Sequence, residues 1–167
     1  MTMDDGSLAL EFNASELRVF DLYILNREGA EKDYTPEEVE QARNQFKSLS
    51  SQEIKRISDN MLKGLPGSEE AYSMEEFKAM LNTYKGIDAD RLRSHLVQFL
   101  KEIIPLAEEL GIRMCIHPDD PPFTLLGLPR IVSTKADYQY IFDQVTPISN
   151  GITYCTGSLG VRADNDL

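Results

Sequence analysis

The sequence is short of cysteine, short of positive charge and without any long apolar run, and each shortage removes a class of protein. Two cysteines in 167 residues cannot build a disulfide framework. Lys and Arg total 17 against 28 Asp and Glu, a formal net charge of -11. Neutralising nucleic-acid phosphates needs clustered Lys and Arg, so no nucleic-acid partner is expected. The same deficit argues against docking on an anionic membrane. No stretch approaches the roughly 18–20 consecutive apolar residues that a membrane span requires. The first residues carry neither a basic segment nor an apolar one of the secretory kind. What is present is an apolar fraction of 41%, enough for a core in a chain of one-domain length. The expectation is an acidic, soluble, cytoplasmic protein.

Residues 8–12 suggest one short strand, and helices dominate from there to about residue 110. The segment 15–25 is too densely apolar to assign a period. Thr35-Pro36-Glu37-Glu38 predicts a helix start: a Thr cap, Pro at the first helical position and a Glu three residues on. Ser50 with Glu53 and Ser73 with Glu76 repeat that spacing, while Gly64, Gly67 and Gly86 are plausible stops. The acidic pairs Glu37-Glu38, Glu69-Glu70 and Glu75-Glu76 therefore read as caps and solvated faces. The strongest helix spans about 88–110. Leu92, Leu96, Phe99, Leu100, Ile103, Ala107 and Leu110 form its apolar stripe, His95 lies at the border, Pro105 should bend it and Gly111 ends it.

The rhythm then changes. Residues 112–116 form a short apolar strand, followed by the loop His117-Pro118-Asp119-Asp120-Pro121-Pro122. A helix over 134–145 follows, with Thr134 and Asp137 at capping spacing, and then a second strand over 151–155. Helix, strand, helix, strand is the βαβ rhythm of a parallel sheet. Such a sheet, with roughly three strands, has open edges and half-covered faces. The expectation is that it is completed by more polypeptide, and that the chain made alone self-associates.

Sites in parallel α/β sheets gather at the carboxyl ends of strands. His117 follows the first late strand and Cys155 ends the second, so two good transition-metal ligands stand at equivalent positions. Incidental placement at strand ends is the competing reading. Cys115 shares the His117 face by alternation and reads as a small buried hydrophobe rather than a disulfide partner of Cys155. Asp119 and Asp120 sit beside His117, where they could orient it, bind a hydroxylated substrate or simply close the turn. Gly157 and Ser158 offer donors just after Cys155.

These segments carry a family resemblance. Gly111-Ile-Arg-Met-Cys-Ile-His117-Pro-Asp-Asp-Pro-Pro122, Gly127-Leu-Pro-Arg-Ile-Val-Ser133 and Asn150-Gly-Ile-Thr-Tyr-Cys155-Thr-Gly-Ser-Leu-Gly-Val-Arg-Ala-Asp-Asn-Asp-Leu167 resemble mannonate dehydratases. So do Phe20-Asp-Leu-Tyr-Ile-Leu25, Gly29-Ala-Glu-Lys-Asp-Tyr-Thr35 and Gly64-Leu-Pro-Gly67. The resemblance implies a (β/α)8 TIM barrel that dehydrates D-mannonate to 2-keto-3-deoxy-D-gluconate in hexuronate breakdown, using Mn²⁺ or Fe²⁺. It implies that His117 and Cys155 are two of the metal ligands; Asp119, Gly157 and Ser158 are candidates for substrate binding from their positions beside these two.

The resemblance covers the middle of the family's chain. The remaining ligands and the proton-transfer residues are therefore expected beyond Leu167, and the fold class is a partial barrel, incomplete in this chain. Residues 1–167 are expected to form a single domain with a helical insertion over 35–86. The chain by itself is expected to be inactive, and the full-length protein a homo-oligomer. Two other readings stand beside this one: a related metal-dependent barrel isomerase acting on sugars, and a non-catalytic fragment or assembly module.

Overall fold

The computed structural model describes residues 5–7, 12–63 and 72–167. The expected strand over 8–12, the stops at Gly64 and Gly67 and the pair Glu69-Glu70 lie wholly or almost wholly outside the described residues. The chain falls into two compact units, Met1–Thr83 and Tyr84–Leu167.

The first unit is helical. Helix α1, Ala14–Val19, is capped by Asn13, whose side chain accepts the Glu16 N–H, and runs on into a π-helical turn over Phe20–Ile24. Helix α2, Pro36–Ser48, begins with the expected capping box, Thr35 and Glu38 each accepting the other's backbone N–H. The same reciprocal contacts join Ser50 to Glu53 ahead of α3, Ser51–Lys63, and Ser73 to Glu76 ahead of α4, Met74–Thr83. The density of apolar residues in 15–25 has a simple cause. Val19, Phe20, Leu22 and Leu25 are all buried, and the wider π turn brings successive residues inward. Asp21 is fully buried among them. It accepts Arg27 Nε at 2.8 Å on one oxygen, and on the other Arg27 Nη2 at 2.7 Å and the Tyr34 hydroxyl at 2.8 Å.

The second unit holds the sheet. Helix α5, Ala89–Glu109, is capped by Asp88 and ends at Leu110, after which Gly111 takes a φ of 68°. Strand β1, Met114–Ile116, helix α6, Lys135–Gln144, and strand β2, Asn150–Ile152, complete the expected βαβ unit. The strands pair in parallel, Met114 opposite Asn150, Cys115 opposite Gly151 and Ile116 opposite Ile152. This makes a mixed α/β structure with a small parallel sheet, two-stranded among the described residues. Thr134 and Asp137 form the second capping box, and Arg93 on α5 reaches Asp137 at 3.0 Å.

Two expectations are corrected here. The buried side of α5 is Val97, Leu100, Ile104 and Ala107, whereas Phe99, Leu106 and Leu110 are exposed. At 100° per residue the buried set is centred well over a quarter turn round from Phe99, Leu106 and Leu110. Leu92, Leu96 and Ile103 pack at the edge of the core between the two strips. The helix is apolar on two adjoining strips, and the sheet takes only one. Cys115 is exposed, not buried. Met114, Ile116 and Ile152 pack on the core formed by α5 and α6, and strand alternation turns Cys115 to the other face.

Candidate functional site

The exposed face of the sheet leads to the site. His117 and Cys155 follow β1 and β2 at their carboxyl ends, and their side chains lie close enough for each to shift the other's pKa. The two residues singled out as metal ligands are thus brought together, although 38 positions separate them (155 − 117).

Each ring or sulfur atom has a defined surrounding. His117 Nδ1 donates to the carbonyl of its neighbour Pro118 at 2.8 Å. A carbonyl only accepts, so Nδ1 carries the proton and Nε2 keeps its lone pair. The Pro118 carbonyl, and then Cys155, raise the His117 pKa above its ordinary value. Cys155 caps α7, Thr156–Leu159. The Ser158 hydroxyl donates to its sulfur at 3.3 Å. That hydroxyl, the Ser158 and Gly157 N–H groups and His117 together hold the Cys155 thiol down to about 7. The sulfur is therefore in large part thiolate near neutrality, the form that binds metals.

Asp119 and Ser158 spend their polar atoms on protein partners. Asp119 Oδ2 accepts the Val132 N–H at 2.7 Å and the Ser133 hydroxyl at 3.1 Å, and Arg130 lies 3.7 Å from Oδ1. Ser158 is buried, with its hydroxyl on the sulfur. Gly157 is exposed. Asn165 and Arg162 belong to the same neighbourhood, a role that sequence reasoning missed. Asn165 Nδ2 donates to the Ser133 and Leu159 carbonyls, both at 2.9 Å, and Arg162 donates to the Pro122 carbonyl at 3.0 Å. Both stand in a turn-rich tail without periodicity, so nothing local flagged them.

An imidazole nitrogen with a free lone pair beside a stabilised thiolate is a donor set that fits a divalent transition metal. It is also a small set. Among the described residues no group of three or more His, Cys, Asp or Glu side chains is arranged to hold a metal ion.

The family model described as D-mannonate dehydratase (UxuA) matches residues 1–167. The chain belongs to the mannonate dehydratase family. It is 52% identical over 165 residues to a protein named mannonate dehydratase from Marinomonas sp. (strain MWYL1), covering 99% of this chain and 42% of that one. It is 49% identical over 163 residues to one of the same name from Brucella canis, covering 97% and 41%. The chain thus spans about two fifths of the length of these relatives. Among solved structures it is similar to the crystal structure of mannonate dehydratase from Streptococcus suis serotype 2. The identity there is 35% and the TM-score 0.51, over 62% of this chain and 28% of that one. No helix among the described residues is long and apolar enough to cross a membrane.

Proposed function

We propose that this chain supplies part of the metal-holding mouth of an enzyme that dehydrates D-mannonate to 2-keto-3-deoxy-D-gluconate. The single observation that carries the reading is the meeting of His117 and Cys155 at the carboxyl ends of adjacent parallel strands. Family membership supports the substrate class, a sugar acid.

In this reading His117, through Nε2, and Cys155, through its sulfur, hold one Mn²⁺ or Fe²⁺ together with ligands from polypeptide outside these 167 residues. When bound, the ion supplies Lewis acidity that favours loss of the proton beside the substrate carboxylate. The chain's own part is preparation. The Pro118 carbonyl holds the neutral imidazole's proton on Nδ1 and so leaves Nε2 for the ion, while Ser158 and Gly157 favour the ionised sulfur. Asp119, Gly157 and Ser158 support the two donors, and of these three Gly157 alone is exposed enough to meet substrate as well. The bare sheet face fits a (β/α)8 barrel, in which helices cover the outside and the other face turns inward. The reading extends to a cytoplasmic, homo-oligomeric enzyme.

A chimera tests it. The matching 165 residues of the Marinomonas relative are replaced by those of this chain, and formation of the 2-keto-3-deoxy acid from D-mannonate is followed with Mn²⁺ present. Activity in the chimera, lost in its His117→Ala and Cys155→Ser variants, is expected. A folded chimera that converts mannonate equally well without either side chain would overturn the reading, and a product isomeric with the substrate would favour the isomerase.

A further inference from the structure

Between the two ligand-bearing loops runs a chain of contacts that reaches neither donor directly. The peptide joining Pro118 to Asp119 is clamped on its N–H side: Asp119 N–H donates to the Val132 carbonyl at 2.8 Å. Because a trans peptide is planar, with N–H and C=O on opposite sides, that clamp aims the Pro118 carbonyl away from Val132. Its target there is His117 Nδ1, 2.8 Å distant. The Asp119 side chain doubles the clamp by accepting the Val132 N–H at 2.7 Å, and it extends it to the Ser133 hydroxyl at 3.1 Å. Ser133 is buried, and its carbonyl takes one proton of Asn165 Nδ2. The same Nδ2 donates to the Leu159 carbonyl. Leu159 closes α7, its N–H returning to the carbonyl of Cys155 at 3.0 Å. The path from His117 to Cys155 is therefore continuous outside the sheet.

We propose that Asp119 and Asn165 are positioning residues, Asp119 fixing the orientation and tautomer of His117 and Asn165 fixing the spacing between the His117 and Cys155 loops. The proposal rests on the metal reading above for its functional consequence, but not for its structural one. Asp119 then works through the Pro118 carbonyl and not on substrate. Both of its short contacts fall on one oxygen, Oδ2, so an amide oxygen can replace them. The Arg130 pairing, at 3.7 Å on the other oxygen, is the part an amide gives up.

The test uses the full 167-residue chain and its variants Asp119→Ala, Asp119→Asn and Asn165→Ala, each checked for folding by circular dichroism. The chain has only two histidines, so long-range proton–nitrogen correlation of the imidazoles reads the His117 tautomer directly. In alkaline buffer the wild type and Asp119→Asn should show Nδ1 protonated. Asp119→Ala should shift toward the Nε2-protonated form that free imidazole prefers. Cobalt(II) titration, followed by the thiolate-to-cobalt charge-transfer band, should weaken about 10- to 100-fold in Asp119→Ala and Asn165→Ala. It should stay within about threefold of wild type in Asp119→Asn, the range left to a group that only orients a ligand.

An unchanged tautomer in folded Asp119→Ala overturns the Asp119 role, and unchanged cobalt affinity in folded Asn165→Ala overturns the Asn165 role. Equal losses in Asp119→Asn and Asp119→Ala also overturn the proposal, because they would make the charge the active feature. Should the wild-type chain give no cobalt band, the titration is made in the chimera described above, which carries the remaining ligands; no band there contradicts the metal reading alone, and the tautomer then decides the Asp119 role. Should Asp119→Ala not fold, Asp119→Asn and Asn165→Ala carry the decision.

Discussion

The Ser158 hydroxyl donates to the sulfur of Cys155 across 3.3 Å, one turn of α7 closing on its own cap residue. This contact is the largest of those that hold the thiol down to about 7. Ser158→Ala should therefore move the midpoint of Cys155 alkylation by iodoacetamide upward, toward that of an ordinary thiol. Peptide mass spectrometry separates Cys155 from the exposed Cys115 and reads the midpoint as a function of pH. A midpoint that stays near 7 in the variant would remove the hydroxyl from the explanation.

The two site groups respond to pH in opposite senses. Cys155 has a lowered pKa, so its contribution to stability is complete above the ordinary thiol range and fades as pH falls through about 7. His117 has a raised pKa, so its contribution is complete below the ordinary imidazole value near 6.5 and is lost as pH rises past the raised one. A metal needs both groups deprotonated. Apparent affinity for Mn²⁺ or Co²⁺ should therefore rise with pH from about 6 to 8, with proton release visible by calorimetry in buffers of different ionisation enthalpy. Affinity flat across that range would contradict the donor pair.

Helix α5 offers a test of which strip the core uses. Ile104 is fully buried, so Ile104→Ala should cost about 2–5 kcal/mol in chemical denaturation of the Tyr84–Leu167 unit. Leu106, two residues on and 57% exposed, should cost no more than about 0.5 kcal/mol on the same change. Similar losses at both positions would mean that the exposed strip is covered in solution.

In the first unit, Asp21→Ala leaves the Arg27 guanidinium without the carboxylate that takes two of its hydrogen bonds, and the Tyr34 hydroxyl without its acceptor. Removing one partner of a buried pair typically costs about 3–5 kcal/mol. Unfolding followed by a probe within Met1–Thr83 should show that loss. A change under about 1 kcal/mol would show that water replaces the carboxylate there.

Much of this was readable from local chemistry. Thr35 with Glu38, Ser50 with Glu53, Ser73 with Glu76 and Thr134 with Asp137 announce their helices because a cap depends on residues three apart and little else. The parallel pairing followed from the order of elements, and the convergence of His117 and Cys155 followed from the pairing. The side of α5 that is buried did not. Choosing between the Leu100–Ile104 strip and the Phe99–Leu106 strip requires the position of the sheet. Cys115 failed for a related reason. A three-residue strand reads as apolar throughout, and only pairing and packing show that its middle residue faces away from the core. Asn165 was invisible because its partners are backbone carbonyls 32 and 6 positions away.

The measurement that bears most directly on the site is cobalt(II) titration of the chain and its His117→Ala and Cys155→Ser variants, watching the thiolate-to-cobalt band. One ion held by both side chains gives a band that vanishes in Cys155→Ser and needs at least about tenfold more cobalt in His117→Ala, since each carries a metal bond. A band that forms equally well without His117 would show that the two side chains meet without sharing a metal.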